Sequence, residues 1–168
     1  MIRPYRNSDV DAVALLFTDS VHHLASNHYD ADQRAAWAPR PPDLDSWTAR
    51  LASLSTLVTE ADMKLAGFIS YEQNGRIDLL YTSPGHSRRG VASALYREAE
   101  AILAGSGVSE LFTEASIVAR PVFERFGFQV AEEQCVRLRG VLFRRYAMRK
   151  SLVAQQVLPD GACKTTRA

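Results

Sequence analysis

The chain has only two cysteines, Cys135 and Cys163, and it lacks any long apolar run. The cysteines show no paired spacing and the second lies in a polar segment, so the sequence predicts neither a disulfide framework nor a cysteine-based zinc site. No stretch approaches the roughly 20 apolar residues that a membrane-crossing helix needs. The first 13 residues also lack the apolar core of a secretory signal. We therefore expect a cytoplasmic protein with no membrane partner.

An excess of charge is missing as well, because 20 Lys and Arg stand against 19 Asp and Glu, a formal net charge of +1. With 46% hydrophobic residues in 168, the composition predicts one folded domain rather than a disordered chain. The first 62 residues are acidic on balance and the rest are basic, which is compatible with an anionic ligand on the second half or with uneven surface charge alone. A basic nucleic-acid-binding domain is an alternative, although the small net charge argues against it. The arginines that suggest it are Arg137, Arg139, Arg144, Arg145 and Arg149.

Helical patterns dominate the first third of the chain. Apolar residues recur at helical spacing over residues 10–24. The pairs Ser8/Asp11 and Asp30/Gln33 have the spacing of capping boxes, in which side chains bind the free N–H groups of a helix start. The predicted helices start at Asn7 or Ser8, Asp30, Asp43 or Asp45, Gly90 and Val118.

Strand patterns follow, with Asn74-Gly75 predicting a type I′ turn between two of them. The predicted strands are 2–5, 55–60, 64–72, 77–82, 109–114, 128–133 and 141–148. A strand–helix–strand unit implies a parallel pair with a right-handed crossover inside an otherwise antiparallel sheet. We therefore predict a single mixed α/β domain over residues 1–150, followed by a loosely held polar tail over 151–168.

The sharpest local feature is a strand that ends at Pro84, followed by a basic loop and a helix that opens on Gly90. The first N–H groups of a helix have no internal partner, and small residues there let an anion approach the backbone. Arg88 and Arg89 add positive charge. The pattern predicts an anion site, and the alternative is an ordinary turn with a solvated basic loop.

This segment resembles the coenzyme A-binding motif of the GCN5-related N-acetyltransferase (GNAT) family, Gln/Arg-x-x-Gly-x-Gly/Ala, with Ser87 in the first position and Gly90 and Ala92 in the last two. The segments 80–84 and 119–128 resemble two further blocks of the family, in the same order. The similarity covers about residues 1–150. The segments 37–39 and 146–150 resemble a poorly assigned bacterial group within it.

The resemblance implies a central pair of parallel strands that splay apart, flanking helices, and acetyl transfer from acetyl-CoA directly to an amine. The coenzyme's pantetheine arm would pair with the strand edge at Leu80 and Thr82, and a backbone amide, at Tyr81 or Thr82, would bind the thioester oxygen. The residues that it assigns to the coenzyme are Leu80, Tyr81, Thr82, Ser87, Arg88, Arg89, Gly90, Val91, Ala92, Ser93, Ser116, Arg120 and Phe123.

Two positions depart from the family pattern. Phe123 stands where a tyrosine is usual, and Ser116 stands where an asparagine is usual, so the family's common general acid is missing. Tyr146 and Tyr81 are the fallback acids. For the general base we predict Glu114, at the end of a strand, although it could instead bind Arg120 or cap the next helix.

The acceptor is predicted to be a small-molecule or peptide amine held by the first helices, with His22, Tyr29 and Trp37 as candidate contacts. Three histidines near residue 25 do not share a helix face, so no metal site is predicted. A non-catalytic acyl-CoA-binding or sensor module is the main alternative. Many family members form homodimers through their C-terminal strands, and this chain is a possible homodimer.

Overall fold

In residues 1–153, the part of the chain that this computed structural model describes, seven strands form one sheet in the order β1-β2-β3-β4-β5-β7-β6, flanked by five α-helices. The strands are β1 (Ile2–Pro4), β2 (Ser55–Ala61), β3 (Lys64–Tyr71), β4 (Arg76–Thr82), β5 (Glu110–Ser116), β6 (Gln129–Leu138) and β7 (Val141–Ser151). The helices are α1 (Val10–Leu24), α2 (Ala31–Trp37), α3 (Leu44–Ala52), α4 (Val91–Gly105) and α5 (Arg120–Arg125).

The sheet confirms the predicted mixed α/β domain, since β4 and β5 are parallel and every other neighbouring pair is antiparallel. The last two strands are longer than predicted, with β6 reaching Leu138 and β7 reaching Ser151. Positive φ angles at both Arg139 and Gly140 make a tight turn whose twist suits a long hairpin. The structure therefore includes the first residues of the predicted tail, and residues 154–168 lie outside the described part.

The predicted type I′ turn at Asn74-Gly75 is wrong, because only Gly75 has a positive φ, +102°. The Asn74 side chain instead accepts a hydrogen bond from the Arg76 N–H at 3.0 Å, which closes a local turn of its own. Besides the turn at Arg139-Gly140, a two-residue turn with positive φ at both positions lies between β2 and β3, at Asp62 and Met63, with φ of 51° and 59°.

Helix capping is partly as predicted. Asp30 accepts from the Gln33 N–H at 2.7 Å and the Gln33 side chain accepts from the Asp30 N–H at 3.0 Å, which confirms that capping box. The box at Ser8 is wrong, because the chain enters α1 through a short 3₁₀ turn. There Asp9 accepts from the Arg6 N–H at 2.8 Å.

Apolar side chains fill both faces of the sheet. The helix α4 covers one face, and α1 and α3 cover the other. A smaller third cluster lies between α2 and the β6–β7 hairpin. Buried members of the three clusters include Ile69, Leu95, Leu111 and Met148 between α4 and the sheet, Val13, Phe17, Val58 and Phe68 between α1 or α3 and the sheet, and Ala25, Tyr29, Ala36 and Phe143 in the third.

A β-bulge in β4 exchanges the faces of this strand. Ser70 pairs with Leu79, but Tyr71 pairs with Ile77, so Asp78 is an extra residue in the ladder. Ile77 consequently packs under α4, whereas Leu79 packs under α1 and α3. Side chains along a strand alternate between the two faces of the sheet, so one inserted residue moves every later side chain of β4 to the opposite face.

Candidate functional site

The parallel strands β4 and β5 part soon after they meet. They pair at only two positions, Arg76 with Phe112 and Ile77 with Thr113. The Thr113 hydroxyl donates to the Ile77 carbonyl at 2.8 Å, at the point from which the two strands diverge. Both strands then continue to their ends with no further pairing to each other. This confirms the splayed pair and exposes backbone groups within the sheet.

A cleft of about 1320 Å³ runs through this opening, from the helices α1 to α3 on one side to the first turn of α4 on the other. Most of the predicted site residues line it. They are Leu80, Tyr81, Thr82, Ser87, Arg88, Gly90, Val91, Ala92, Ser93, Ser116 and Phe123 from the coenzyme set, together with Glu114, Tyr29 and Trp37.

The N-terminus of α4 opens onto the cleft. Gly90 precedes the helix in the left-handed conformation, with φ +81°, and no side chain caps the helix. The first helical hydrogen bond runs from the Ala94 N–H to the Gly90 carbonyl, so the N–H groups of residues 91–93 have no partner within the helix. Arg88 is exposed beside them and has no salt bridge within residues 1–153. The turn has the free donors and the positive charge that an anion requires.

The outer half of β4 offers an edge to the opening. The Ser83 N–H donates to the Ala66 carbonyl of β3 at 2.8 Å. Because backbone groups alternate in direction along a strand, Tyr81 also faces β3, whereas Leu80 and Thr82 face the opening. Of the two amides predicted for the thioester oxygen, the one on Thr82 is thus directed to the cleft. The β-bulge at Asp78 precedes both Tyr81 and Thr82 in β4.

Glu114 lies on β5 where the strands part, with 28% of its side chain exposed. Its partner is Arg76 on β4 and not Arg120. Arg76 donates through Nε and Nη2 to the same oxygen, Oε2, at 3.2 and 3.1 Å. The other oxygen, Oε1, has no hydrogen-bond partner within the described residues and is free to accept a proton or bind an amine.

Asp78 extends this pair into a chain of charges. Its side chain, 8% exposed, binds Arg76 Nη1 through Oδ1 at 3.2 Å. Its other oxygen accepts from Arg50 on α3, through Nε at 3.1 Å and Nη2 at 2.9 Å. Sequence reasoning missed Asp78 and Arg50. The one local signal is an acidic residue between Ile77 and Leu79, in an apolar strand.

Tyr29 reaches the cleft from the segment between α1 and α2. Its ring packs against Trp37 and Phe143, with centroids 5.3 and 5.7 Å away. Its hydroxyl accepts from the Ile117 N–H at 3.3 Å, beside Ser116 at the end of β5. Burial raises the pKa of the Tyr29 phenol, and the bond from Ile117 offsets part of that rise. The phenol therefore stays protonated at neutral pH.

Tyr81 lies in the same wall, in edge contact with Phe17 at 4.8 Å between centroids. Burial raises its pKa strongly, and the guanidinium of Arg50 offsets part of the effect. The nearby carboxylate of Asp78 acts in the opposite direction to Arg50 and raises the pKa of the Tyr81 phenol.

Four predicted site residues do not line the cleft. His22 binds the Ala38 carbonyl through Nε2 at 2.8 Å, which supports the chain after α2. Arg89 is exposed outside it. Arg120 pairs with Glu124 at 2.7 Å, and its guanidinium lies 4.5 Å above the ring of Tyr146, which is 7% exposed.

The start of α5 shows what the two departures from the family pattern do. The Ser116 hydroxyl accepts from the Ala119 N–H at 3.1 Å and stabilises the turn before the helix. Phe123 is 4% exposed and packs edge-on against Phe126 and Phe128. It therefore gives the cleft an apolar wall.

Within residues 1–153, no group of three or more His, Cys, Asp and Glu side chains could hold a metal ion. The same part of the chain contains no helix with the length and apolarity needed to cross a membrane.

Comparisons with known sequences point to one family. The sequence model described as "Acetyltransferase (GNAT) domain" matches residues 25–150. A curated relative from Escherichia coli K12, the uncharacterized N-acetyltransferase YafP, is 38% identical over 148 residues, which make up 88% of this chain and 93% of the relative.

Solved structures share the fold. A GCN5-related N-acetyltransferase from Rhodopseudomonas palustris superposes with a TM-score of 0.86 at 29% identity, covering 90% of this chain and 95% of that one. The PaiA N-acetyltransferase of Thermoplasma acidophilum, solved in complex with coenzyme A, superposes with a TM-score of 0.74 at 18% identity, covering 90% and 98%.

Proposed function

The chain belongs to the GNAT family of N-acetyltransferases, and from this premise we propose that it transfers the acetyl group of acetyl-CoA directly to the amine of a small-molecule or peptide acceptor. The observation that carries the proposal is the parting of β4 and β5 beside the free N-terminus of α4. A thioester in the opening and a diphosphate on the helix would place one elongated molecule across both features.

The proposed coenzyme site uses mostly backbone groups. The N–H groups of residues 91–93 and the side chain of Arg88 would bind the diphosphate. Leu80 and Thr82 would pair with the pantetheine arm as an added strand, and the Thr82 or Leu80 amide would stabilise the negative charge that develops on the thioester oxygen. Coenzyme A bound to PaiA, a protein of the same fold, supports this site.

An ammonium group must lose a proton before its nitrogen can attack, and we assign that proton to Glu114 Oε1. Arg76 holds the neighbouring oxygen with two hydrogen bonds and so fixes the carboxylate at the edge of the opening. The nitrogen then forms a bond to the carbonyl carbon, the carbon–sulfur bond breaks, and the sulfur leaves as a thiolate. The nitrogen releases its second proton to solvent as the amide forms, and solvent restores the proton of the group that protonates the thiolate.

The thiolate would receive its proton from Tyr29. We prefer this residue to the two fallback acids, because Tyr146 lies outside the cleft and the Tyr81 ring packs against Phe17 and Phe68 on the acceptor side. The Tyr29 hydroxyl is held at the end of β5, beside the serine that replaces the family's asparagine. Its raised pKa keeps the proton available through neutral and mildly alkaline pH.

Replacement of Tyr29 by phenylalanine is expected to lower kcat about tenfold, with a KM for acetyl-CoA that stays within about twofold. A thiolate can leave without being protonated, so removal of the general acid is expected to lower kcat less than removal of the general base. Steady-state kinetics from pH 6 to 9 measure it, with Tyr146→Phe as the control. A larger loss in the control than in Tyr29→Phe contradicts the assignment.

A carboxylate introduced at the proposed diphosphate position is expected to prevent binding of the coenzyme without destabilising the fold. Ala92→Glu places a negative charge in the first turn of α4, which suits the helix dipole but repels a diphosphate. We expect at least about tenfold weaker acetyl-CoA binding in calorimetry and an unchanged Tm. The control is Ala94→Glu, in the same turn but outside the cleft. Equal binding by the two variants contradicts the site.

The proposal as a whole is tested by thermal shift with acetyl-CoA, followed by release of free thiol across a panel of amines. A ligand that binds only the folded state raises the Tm by mass action, so the coenzyme is detected even before the acceptor is known. A higher Tm with turnover is expected. Absence of any shift at millimolar acetyl-CoA overturns the proposal.

A non-catalytic acyl-CoA-binding or sensor module is a second candidate, favoured by the apolar Phe123 wall in place of a hydroxyl group. It predicts tight coenzyme binding with no thiol release for any amine. A cytoplasmic location in a bacterium, a possible homodimer and the lack of a nucleic-acid partner stay predictions of this proposal.

A further inference from the structure

A continuous chain of four charged side chains crosses the acceptor side of the cleft. It runs from Arg50 on α3 through Asp78 and Arg76 on β4 to Glu114 on β5. All four residues line the cleft. Arg50 and Glu114 are far from Arg76 and Asp78 in the sequence, so the chain exists only because the three elements meet at the base of the opening.

In the two interior members of this chain, both carboxylate oxygens of Asp78 and all three guanidinium nitrogens of Arg76 have a partner. Asp78 uses one oxygen for Arg76 and the other for Arg50. Arg76 binds Asp78 and Glu114 and also contacts Glu72 Oε1 at 3.1 Å. Neither has a free group directed at a ligand, because each is already engaged on both sides.

The two ends each have one polar group without a partner in the described residues, and the two groups have opposite character. Glu114 has its Oε1 oxygen free, as an anionic acceptor. Arg50 uses Nε and Nη2 for Asp78 and has Nη1 free, with two N–H donors.

Arg50 is held in place although 46% of its side chain is exposed. Its guanidinium lies 5.8 Å from the centre of the Trp47 ring, and two hydrogen bonds fix its plane on Asp78. A guanidinium ordered in this way loses little freedom when it binds a carboxylate, so its free edge is suited to a ligand.

From these two free ends we infer that the acceptor carries a carboxylate in addition to its amine, with the amine bound at Glu114 Oε1 and the carboxylate bound at Arg50 Nη1. The inference rests on the proposed function, because it takes the opening between β4 and β5 as the place of the thioester. The apolar rings of Phe17 and Trp37 along the same wall favour an apolar side chain.

The test compares amino acids with the same amines lacking the carboxylate. The pairs are L-phenylalanine with 2-phenylethylamine, L-leucine with 3-methylbutylamine and, for a longer separation of the two charges, 6-aminohexanoate with pentylamine, each with acetyl-CoA. The variants are Arg50→Gln, Arg50→Lys and, as a control outside the cleft, Arg97→Gln. The ratio of kcat/KM within a pair, compared between variants, cancels differences in amine reactivity.

We expect the wild type to favour at least one amino acid over its amine about tenfold or more, as for a charge-assisted hydrogen bond. Arg50→Gln removes that preference through KM, Arg50→Lys retains part of it, and Arg97→Gln retains all of it. A general disturbance of the site would lower both members of a pair equally and leave the ratio unchanged.

Equal use of both members of every pair, preference for the amines, or use of neither member of any pair overturns the inference. A preference that survives Arg50→Gln also overturns it. These outcomes are distinct from failure of the proposed function, which would show as a lack of acetyl-CoA binding in the wild type.

Discussion

Replacement of Glu114 by glutamine is expected to lower kcat at neutral pH by about a hundredfold or more, while the Kd for acetyl-CoA changes less than about twofold. Glutamine has the same shape as glutamate, but its amide cannot accept the proton of the attacking ammonium. The Arg76 hydrogen bonds to Oε2 can persist to the amide oxygen, so the strand edge stays in place. Steady-state kinetics and calorimetry together separate the two effects.

The matched control is Glu110→Gln on the same strand. Glu110 is exposed, pairs with Arg149 and lies outside the cleft. The Glu110→Gln substitution should leave kcat unchanged. Wild-type kcat in Glu114→Gln removes this residue from the mechanism, and equal losses in both variants indicate a damaged β5 instead.

Replacement of Gly75 by alanine is expected to destabilise the fold by about 3 kcal/mol or more. A Cβ atom there would lie 2.3 Å from the Glu110 carbonyl oxygen and 2.9 Å from Val108 Cγ1, and the φ of +102° is itself unfavourable for alanine. The Gly75 carbonyl accepts from the Phe112 N–H at 3.1 Å, next to the point where β4 and β5 pair. Displacement of this loop would therefore also disturb the opening.

Gly107→Ala separates the steric part of this effect from the backbone part. Gly107 has a φ of +88°, but a Cβ atom there would meet nothing within 4 Å. Gly107→Ala should therefore lower the free energy of unfolding by only about 1 kcal/mol. Urea unfolding measures both variants, and similar losses in the two would contradict the close contact between the β3–β4 loop and β5.

The parts of the fold that local patterns encode could be predicted from the sequence. The Asp30/Gln33 capping box and the turn at Gly90 are both properties of a few neighbouring residues, and both are present in the structure. Asp62-Met63 shows the limit of such reasoning. Methionine disfavours positive φ, and the pairing of β2 with β3 imposes the tight turn there.

The charged chain could not be predicted, because its members come from three elements. Asp78 reads as a solvated residue in a strand until the bulge and α3 place Arg50 against it. Glu114 was predicted on the correct strand, which ends two residues later than predicted, but its partner was not predicted, since Arg76 lies 38 residues earlier and meets it only through parallel pairing. Long-range contacts of this kind have no local signature.

The central claim is that acetyl-CoA lies across the opening between β4 and β5 with its diphosphate on α4. Amide hydrogen exchange, followed residue by residue by NMR with and without acetyl-CoA, tests it most directly. The account predicts slower exchange at Leu80, Thr82 and residues 91–93, where free N–H groups gain partners. Unchanged exchange at these five amides in the acetyl-CoA complex, with slowing confined to another surface, would contradict it.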